Sequence, residues 1–382
     1  LEPPGRAATL STRALSDAEV RRYSPIASLV LTFGCKFACP YCPIPAYNQR
    51  QYRVKSGARV AEDMARLYTD FGMRQFFGAD DNFFNDHKRA VEIATAITKK
   101  TVNGIRLRSK VTWATEVTVH DTLKLKDHLS LFRAAGIRAL WLGVEDITAS
   151  LVKKGQSVDK TAEAFRLLTQ HDIAPMPMMM HHDEQPLYTP GRPYGLLNQV
   201  SFLRRAGACS LQVLMLSPAT GSKLYADSFK SGLAYESVGG RKIEPYMLDA
   251  NYVIASRHRR PWTRQLNIMV AYLYFYNPLR LFGALARPKS GSRRVDIGMQ
   301  IIGMWGVTQT IRRTLTWALR LMIGRIKRKS AVPHSQIPMS AVGVGEHIYK
   351  TIVDAAPEKG VDFFHGYTYS GHPAACAAGL AT

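Results

Sequence analysis

Between residues 26 and 218 the chain alternates between short apolar runs and amphipathic stretches, and this alternation restricts the fold more than any other feature of the sequence. IASLVLTF (26–33), RQFFGADD (74–81), KVTWATEV (110–117), IRALWLGVED (137–146), IAPMPMMMH (173–181) and CSLQVLMLSP (209–218) read as strands. Helical spacing runs through residues 60–72, 86–100, 120–136, 159–172 and 194–207, with Asp86 placed to cap the second helix. Strand and helix in such series predict an α/β fold with a parallel sheet and right-handed crossovers, open or closed into a barrel. In these folds the site lies at the carboxyl ends of the strands, so the residues that follow each strand are the candidates for function.

Cys35, Cys39 and Cys42 follow the first strand, while Cys209 and Cys376 stand alone. Five cysteines in 382 residues do not make a disulfide scaffold, and clustered thiols suggest a metal or redox site. Three thiolates cannot complete a structural zinc site by themselves, and the nearest downstream histidine is His87. An iron–sulfur cubane with one open iron suits three ligands better. A zinc loop or a chance cluster of buried cysteines stays as the alternative. A ferredoxin-like carrier is disfavoured by the lack of a fourth nearby Cys.

The segment CKFACPYC, with Tyr41 before the third Cys, resembles the motif of radical S-adenosylmethionine (SAM) enzymes. FFGADDNFFND is similar to the second-strand motif of that family, where a Gly-rich turn and an acid meet the SAM amino group. Asp80 and Asp81 match the acid, and Gly78 and Ala79 the turn that lets backbone approach the ligand. Glu116 follows the third strand, and Glu145 in LWLGVED resembles the acid of the Gly-Ile-Glu-Ser pattern. The resemblance implies a partial (β/α)6 barrel over residues 23–235 and a [4Fe–4S] cluster held by Cys35, Cys39 and Cys42. The open iron would chelate SAM, and an electron from a flavodoxin- or ferredoxin-type donor would split it to a 5′-deoxyadenosyl radical. Such a radical abstracts hydrogen from an unactivated carbon.

SPATGSKLY after the sixth strand resembles a segment of the cobalamin-associated branch, whose members act on lipids and tetrapyrroles. A small molecule or lipid is therefore the expected substrate. That branch usually carries a cobalamin domain ahead of the core. Here residues 1–22 form only a linker and no Asp-x-His-x-x-Gly signature occurs, which counts against cobalamin. His181, His182, Asp183 and Glu184 follow the fifth strand and are placed to line the mouth.

Charge separates the next segment. Residues 257–329 hold sixteen Lys or Arg and one acid, Asp296, interleaved with Leu, Ile, Met and Trp. The segment 236–331 is expected to be a mainly helical, basic extension. Neither of its apolar stretches gives about 20 uncharged residues, the length of a spanning helix. Two readings compete: a packed subdomain with a solvated basic face, and interfacial binding to an anionic membrane. Nucleic acid is not expected, because so much apolar surface points to burial. The chain lacks a secretory signal at its start, and the expected location is cytoplasmic, peripheral on the inner membrane face.

Residues 332–382 break the pattern. FFHGYTYSGHPAACAAGLAT is similar to a segment of class III pyridoxal-phosphate (PLP) omega-amino acid aminotransferases, in which the residue matching Thr368 contacts the PLP phosphate. The Schiff-base Lys has no counterpart in register, Lys329 being near but displaced, so PLP is not expected and a fusion junction near 332–336 is. The functional readings are thus a radical SAM enzyme, an inert chimera that only binds a cluster, and an aminotransferase fragment.

Overall fold

A computed structural model describes residues 26–48, 51–148, 151, 157–248, 250–286 and 290–332. Its centre is a six-stranded, wholly parallel sheet in sequence order: β1 (Ala27–Leu29), β2 (Gln75–Gly78), β3 (Thr112–Thr118), β4 (Ile137–Glu145), β5 (Ala174–His181) and β6 (Gln212–Met215). The sheet curls into a half-barrel with helices on its outer face. β1 and β6 are its two edges.

The helices form where the spacing predicts, and their ends have local causes. α1 (Gly57–Phe71) starts at Ser56, whose hydroxyl accepts from Arg59 N, and stops at Gly72 in the left-handed region. Asp86 does cap α2 (His87–Lys99), accepting from Arg89 N. The helix expected over 120–136 is instead split into α3 (Val119–Lys124), a 3-10 turn and α4 (Leu129–Ala134). Leu125 at the break and Leu129 are both buried, and the kinked path puts both into the core. α5 (Val158–Gln170) and α6 (Leu196–Arg205) complete the outer layer.

The first strand is also shorter than expected. Residues 26–33 do not run on as one strand, because Leu31 N and Thr32 N donate to the Asp80 carboxylate at 2.9 and 2.7 Å rather than to a strand. Thr32–Phe33 then pairs antiparallel with Arg53–Val54.

After α7 (Lys223–Lys230), the extension is helical as expected, with a small antiparallel sheet added. Its helices are α8 (Pro261–Phe275), α9 (Pro278–Ala286) and the long α10 (Gly291–Ile323). β7 (Tyr235–Val238) pairs with Arg241–Lys242 and with β8 (Ile326–Arg328), so the chain returns to where the extension begins. One hydrophobic core runs from Leu31 in the barrel to Leu321 in α10. A second cluster inside the barrel joins Ala139, Ala174, Met176 and Cys209 to Val295 and Met299 of α10. Several of these sit at the start of their strands, so α10 plugs the bottom of the half-barrel and leaves the carboxyl end as the open mouth.

An edge strand exposes backbone groups that need partners. Two tyrosines at the end of α8, Tyr272 in its last turn and Tyr276 just past it, supply them for β6. Tyr276 Oη accepts from Leu211 N (2.7 Å) and donates to Leu211 O (2.9 Å). Tyr272 Oη does the same for Val213, at 2.9 and 3.1 Å. Met215 N donates to Ala250 O. Burial pushes both phenols up, so they remain neutral donors. Tyr276→Phe is expected to lower unfolding free energy by about 1–3 kcal/mol, the cost of a buried unsatisfied amide. Equilibrium denaturation checks this, and an unchanged midpoint would show that the edge finds other partners.

Candidate active site at the barrel mouth

The cysteine loop leaves the end of β1 and reaches the far edge of the barrel. Gly34 opens it at φ +100, with its missing Cβ position 2.3 Å from Gln51 O, so no side chain fits there. Cys42 N donates to Cys39 O in a tight turn, and Pro43 starts a single helical turn, Ile44–Tyr47. Leu224 N donates to Pro40 O, and Gly221 lies against Ala46. These two contacts tie the loop to the SPATGSKLY segment after β6. The loop therefore bridges the two sheet edges over the mouth. The three cysteines form no disulfide, with Cys39 buried and Cys35 and Cys42 half-buried.

Polar contacts pin the loop from β2 and β3. Gly34 N donates to Asp81 Oδ2 (2.7 Å), and Lys36 N to Asn85 Oδ1 (2.7 Å). Lys36 Nζ reaches the fully buried Asp121 carboxylate, which also accepts from Asn82 Nδ2 (2.9 Å) and Thr118 Oγ1 (2.9 Å) and meets His87 Nε2 (3.2 Å). Burial pushes the Asp121 pKa up, but its bonds to Lys36, Asn82 and His87 outweigh this and hold it below the usual carboxylate value. Sequence reasoning missed this whole layer. Its only signal was position: Lys36 lies between two cysteines' loop residues, and Asn82 and Asn85 lie inside the second-strand segment.

The expected site residues fall into two groups. Tyr41 and Glu145 sit with Cys39. Burial, then the Glu145 and Cys39 charges, drive the Tyr41 pKa far up, so its hydroxyl stays protonated. Glu145 ends β4 with φ +51, a strained backbone for a non-Gly residue of the kind that clusters at functional sites. Its carboxylate curls back over Gly143, where an added Cβ would lie 3.0 Å from Oε1.

Asp80, Asp81 and Glu116 make the second group. Glu116 is half-buried, and burial followed by the Asp80 and Asp81 charges pushes its pKa up to about 7. Asp80 differs from Asp81 and Glu116. It is 3% exposed, with Oδ1 accepting from Leu31 N, Thr32 N and Thr32 Oγ1, and Oδ2 from Thr115 Oγ1 at 2.6 Å. Gly78 is accounted for by packing: its absent Cβ position lies 2.5–2.8 Å from Asp80, Leu31 and Thr115. Ala79 N donates to Leu29 O, extending the sheet.

The residues after β5 do not act as one group. His181 faces outward: Nδ1 meets Gln185 Oε1 (2.7 Å) and Nε2 meets Asn267 Nδ2 (3.1 Å) of α8. Burial first lowers its pKa to about 4, so it is neutral. Asp183 accepts from Ser256 Oγ and Arg257 N, latching the extension to the barrel, and Glu184 is exposed. His182 is 7% exposed, with its ring edge-on to Tyr194 and its Nε2 unpartnered among the described residues. Phe77 and Trp141, edge-on at 5.2 Å, and Met178 and Met180 are half-buried positions on the inner side of the strands.

Among the described residues no three His, Cys, Asp or Glu side chains converge tightly enough to hold a single metal ion. A cubane asks for less convergence, since each thiolate takes a separate iron. The donor set of three thiols on a pinned loop therefore fits a [4Fe–4S] cluster better than one zinc ion.

The sequence model of the Radical SAM superfamily matches residues 29–186. Over 293 residues the chain is 25% identical to the anaerobic magnesium-protoporphyrin IX monomethyl ester cyclase of Synechocystis sp., covering 75% of this chain and 53% of that protein. A separate stretch of 51 residues is 55% identical to the beta-alanine–pyruvate aminotransferase of Pseudomonas aeruginosa, covering 13% of this chain and 11% of that enzyme. Among solved structures, the radical SAM methyltransferase TsrM of Kitasatospora setae superposes with a TM-score of 0.55 at 15% identity, over 81% of this chain and 66% of that one. The chain thus spans about half or less of the length of these curated relatives. Of the segment 332–382, for which the aminotransferase resemblance and a fusion junction are expected, residues 333–382 lie outside the described residues.

Proposed function

We propose that this chain, which carries a radical SAM domain, is an enzyme that starts radical chemistry on an unactivated carbon of an apolar substrate. The observation that carries the reading is the cysteine loop, pinned by Asp81, Asn85 and Asp121 and laid across the barrel mouth beside Glu145. A [4Fe–4S] cluster on Cys35, Cys39 and Cys42 would supply the electron that splits SAM, fed by a small electron-transfer protein. The chain's own residues do the rest. Lys36 and Asp121 fix the loop. Asp81, Glu116 and Glu145 offer carboxylates to the cationic end of SAM, and Tyr41 lies beside Glu145 and Cys39. α10 closes the barrel floor, and Phe77, Trp141, Met178 and Met180 line an apolar interior that keeps water from a reactive radical. That lining and the similarity to the cyclase favour a lipid or a large apolar ring as substrate. Anaerobic cluster reconstitution followed by dithionite and SAM tests the reading. Release of 5′-deoxyadenosine is expected, and a reconstituted cluster that leaves SAM intact would leave only a cluster-binding scaffold.

Glu116 gives a pH test. Its folded pKa of about 7 lies above the usual value, so the carboxylate is protonated below pH 7 and ionised above it. SAM affinity should then rise as pH increases from 6 to 8, by roughly tenfold for a charge-assisted hydrogen bond. Glu116→Gln is expected to bind at the low-pH level throughout. A pH step that survives in Glu116→Gln, read by equilibrium dialysis, would remove Glu116 from the SAM site.

A further inference from the structure

The extension holds a second concavity, far in sequence from the cysteine loop. It has a volume of about 410 Å³ and is lined by Arg241, Arg312, Arg313 and Arg320 with Gln309 and Thr316, over a floor of Tyr252 and Trp317. The floor is rigid. Tyr252 and Trp317 are 6% and 2% exposed, pack edge-on at 5.8 Å, and Trp317 Nε1 donates to Val253 O. Arg313 lies over the Tyr252 ring at 5.3 Å, Arg241 donates to Tyr246 Oη and Arg320 to Gly239 O. No carboxylate lines the cavity, and none of the four guanidinium groups is in an ion pair among the described residues. Four like charges held around one cavity repel each other unless an anion enters. Planar guanidinium forks with a hydroxyl and an amide beside them suit a phosphate or phosphate ester.

The surroundings select the kind of phosphate. On the same helix the neighbouring face exposes Leu315, Leu319, Met322 and Ile323, each 46–75%. Leu279 and Phe282 of α9 and Ile301, Ile302 and Trp305 of α10 add exposed apolar surface, from 53% to 81%. The lone acid of the basic segment, Asp296, is buried and 3.7 Å from Arg280, so the outer surface is cationic. No helix among the described residues is long and apolar enough to cross a membrane. A phosphate pocket beside an exposed apolar stripe matches an amphiphile lying in a surface.

We infer that this cavity binds the phosphate headgroup of an anionic phospholipid and docks the extension on a membrane surface, with the Leu315–Ile323 stripe in the acyl region. The inference does not rest on the cluster or on SAM chemistry.

The full-length chain is sedimented with vesicles of phosphatidylglycerol and phosphatidylcholine, or of phosphatidylcholine alone, and is titrated separately with soluble glycerol 3-phosphate. The wild type should bind the anionic vesicles at least about tenfold more tightly, a gap that narrows at high salt. Arg241→Glu/Arg312→Glu, two exposed side chains, should lose that preference and the soluble ligand alike. Leu315→Glu/Leu319→Glu should lose vesicle binding by about tenfold yet keep the soluble ligand. Equal binding to both vesicle types, or vesicle binding unchanged in the arginine variant, overturns the inference. So does tight binding of glycerol phosphate without vesicle binding, which would make the ligand a soluble phosphate. A wild-type dimer that Leu315→Glu/Leu319→Glu converts to monomer would give the face to a second copy instead. Circular dichroism confirms that each variant is folded.

Discussion

Replacing any one of Cys35, Cys39 or Cys42 by Ala is expected to drop bound iron and sulfide from roughly four of each per chain to near zero, with loss of the brown colour. The three positions are not equivalent in the fold, yet the result should be the same for each. Cys39 is buried beside Tyr41, whereas Cys35 and Cys42 are half-buried on the two limbs of the loop. Among the described residues a cubane that loses one of three protein ligands has no substitute, because the other thiol described, Cys209, lies on the barrel floor against Val295 and Met299. Cys209→Ser therefore serves as the control and should keep full iron. Retention of iron and sulfide in the triple Ala variant would remove the cluster from this loop, and the radical SAM reading with it.

The six strands were legible because a parallel sheet, buried on one face and lining a mouth on the other, needs near-continuous apolar runs. The cysteine loop was legible because its chemistry lies within eight residues. What the sequence hid was pairing at a distance. Nothing local marks Asp121 as the partner of Lys36, 85 positions away, or Tyr272 and Tyr276 as the caps of a strand some 60 positions earlier. Local pattern also did not separate like residues that the fold places differently. Asp80 and Asp81 are adjacent and chemically identical, but in the turn that follows β2 one carboxylate enters the β1–β2–β3 junction and the other meets the loop. His181 and His182 divide in the same way, one outward to α8 and one beside Tyr194. The C-terminal segment reads as amphipathic either way. Only the packed structure distinguishes the Tyr276 face, which is buried, from the Leu315–Ile323 face, which is not.

Asp80 tests that division of roles. Its pKa is raised to about 6, burial being the first cause, against the bonds from Thr115, Thr32 and Leu31 that pull it down. A raised carboxylate pKa means the folded state favours the protonated form. The associated stability is fully present below the unfolded value of 3.8 and is lost as pH rises through about 6. Asp80→Asn keeps an acceptor for the Leu31 and Thr32 amides and carries no charge, so its stability should fall less steeply than that of the wild type from pH 4 to pH 7, the remaining slope coming from Glu116, whose pKa is also raised. Asp80→Ala leaves both buried amides without an acceptor. At about 1–3 kcal/mol each, it should be roughly 2–6 kcal/mol less stable than Asp80→Asn. Because the freed segment runs directly into Gly34 and the cysteines, the Ala variant should also lose iron on mild warming, whereas the Asn variant should hold its cluster and bind SAM as the wild type does. Asp81→Ala frees one backbone amide, that of Gly34, so it should lose about 1–3 kcal/mol, less than Asp80→Ala, with SAM affinity reduced about tenfold. Denaturation midpoints and SAM dialysis on the three variants separate the cases. If Asp80→Asn weakens SAM binding as much as Asp81→Ala, the buried carboxylate is part of the SAM site and not only a clamp on the strand from which the cysteine loop departs.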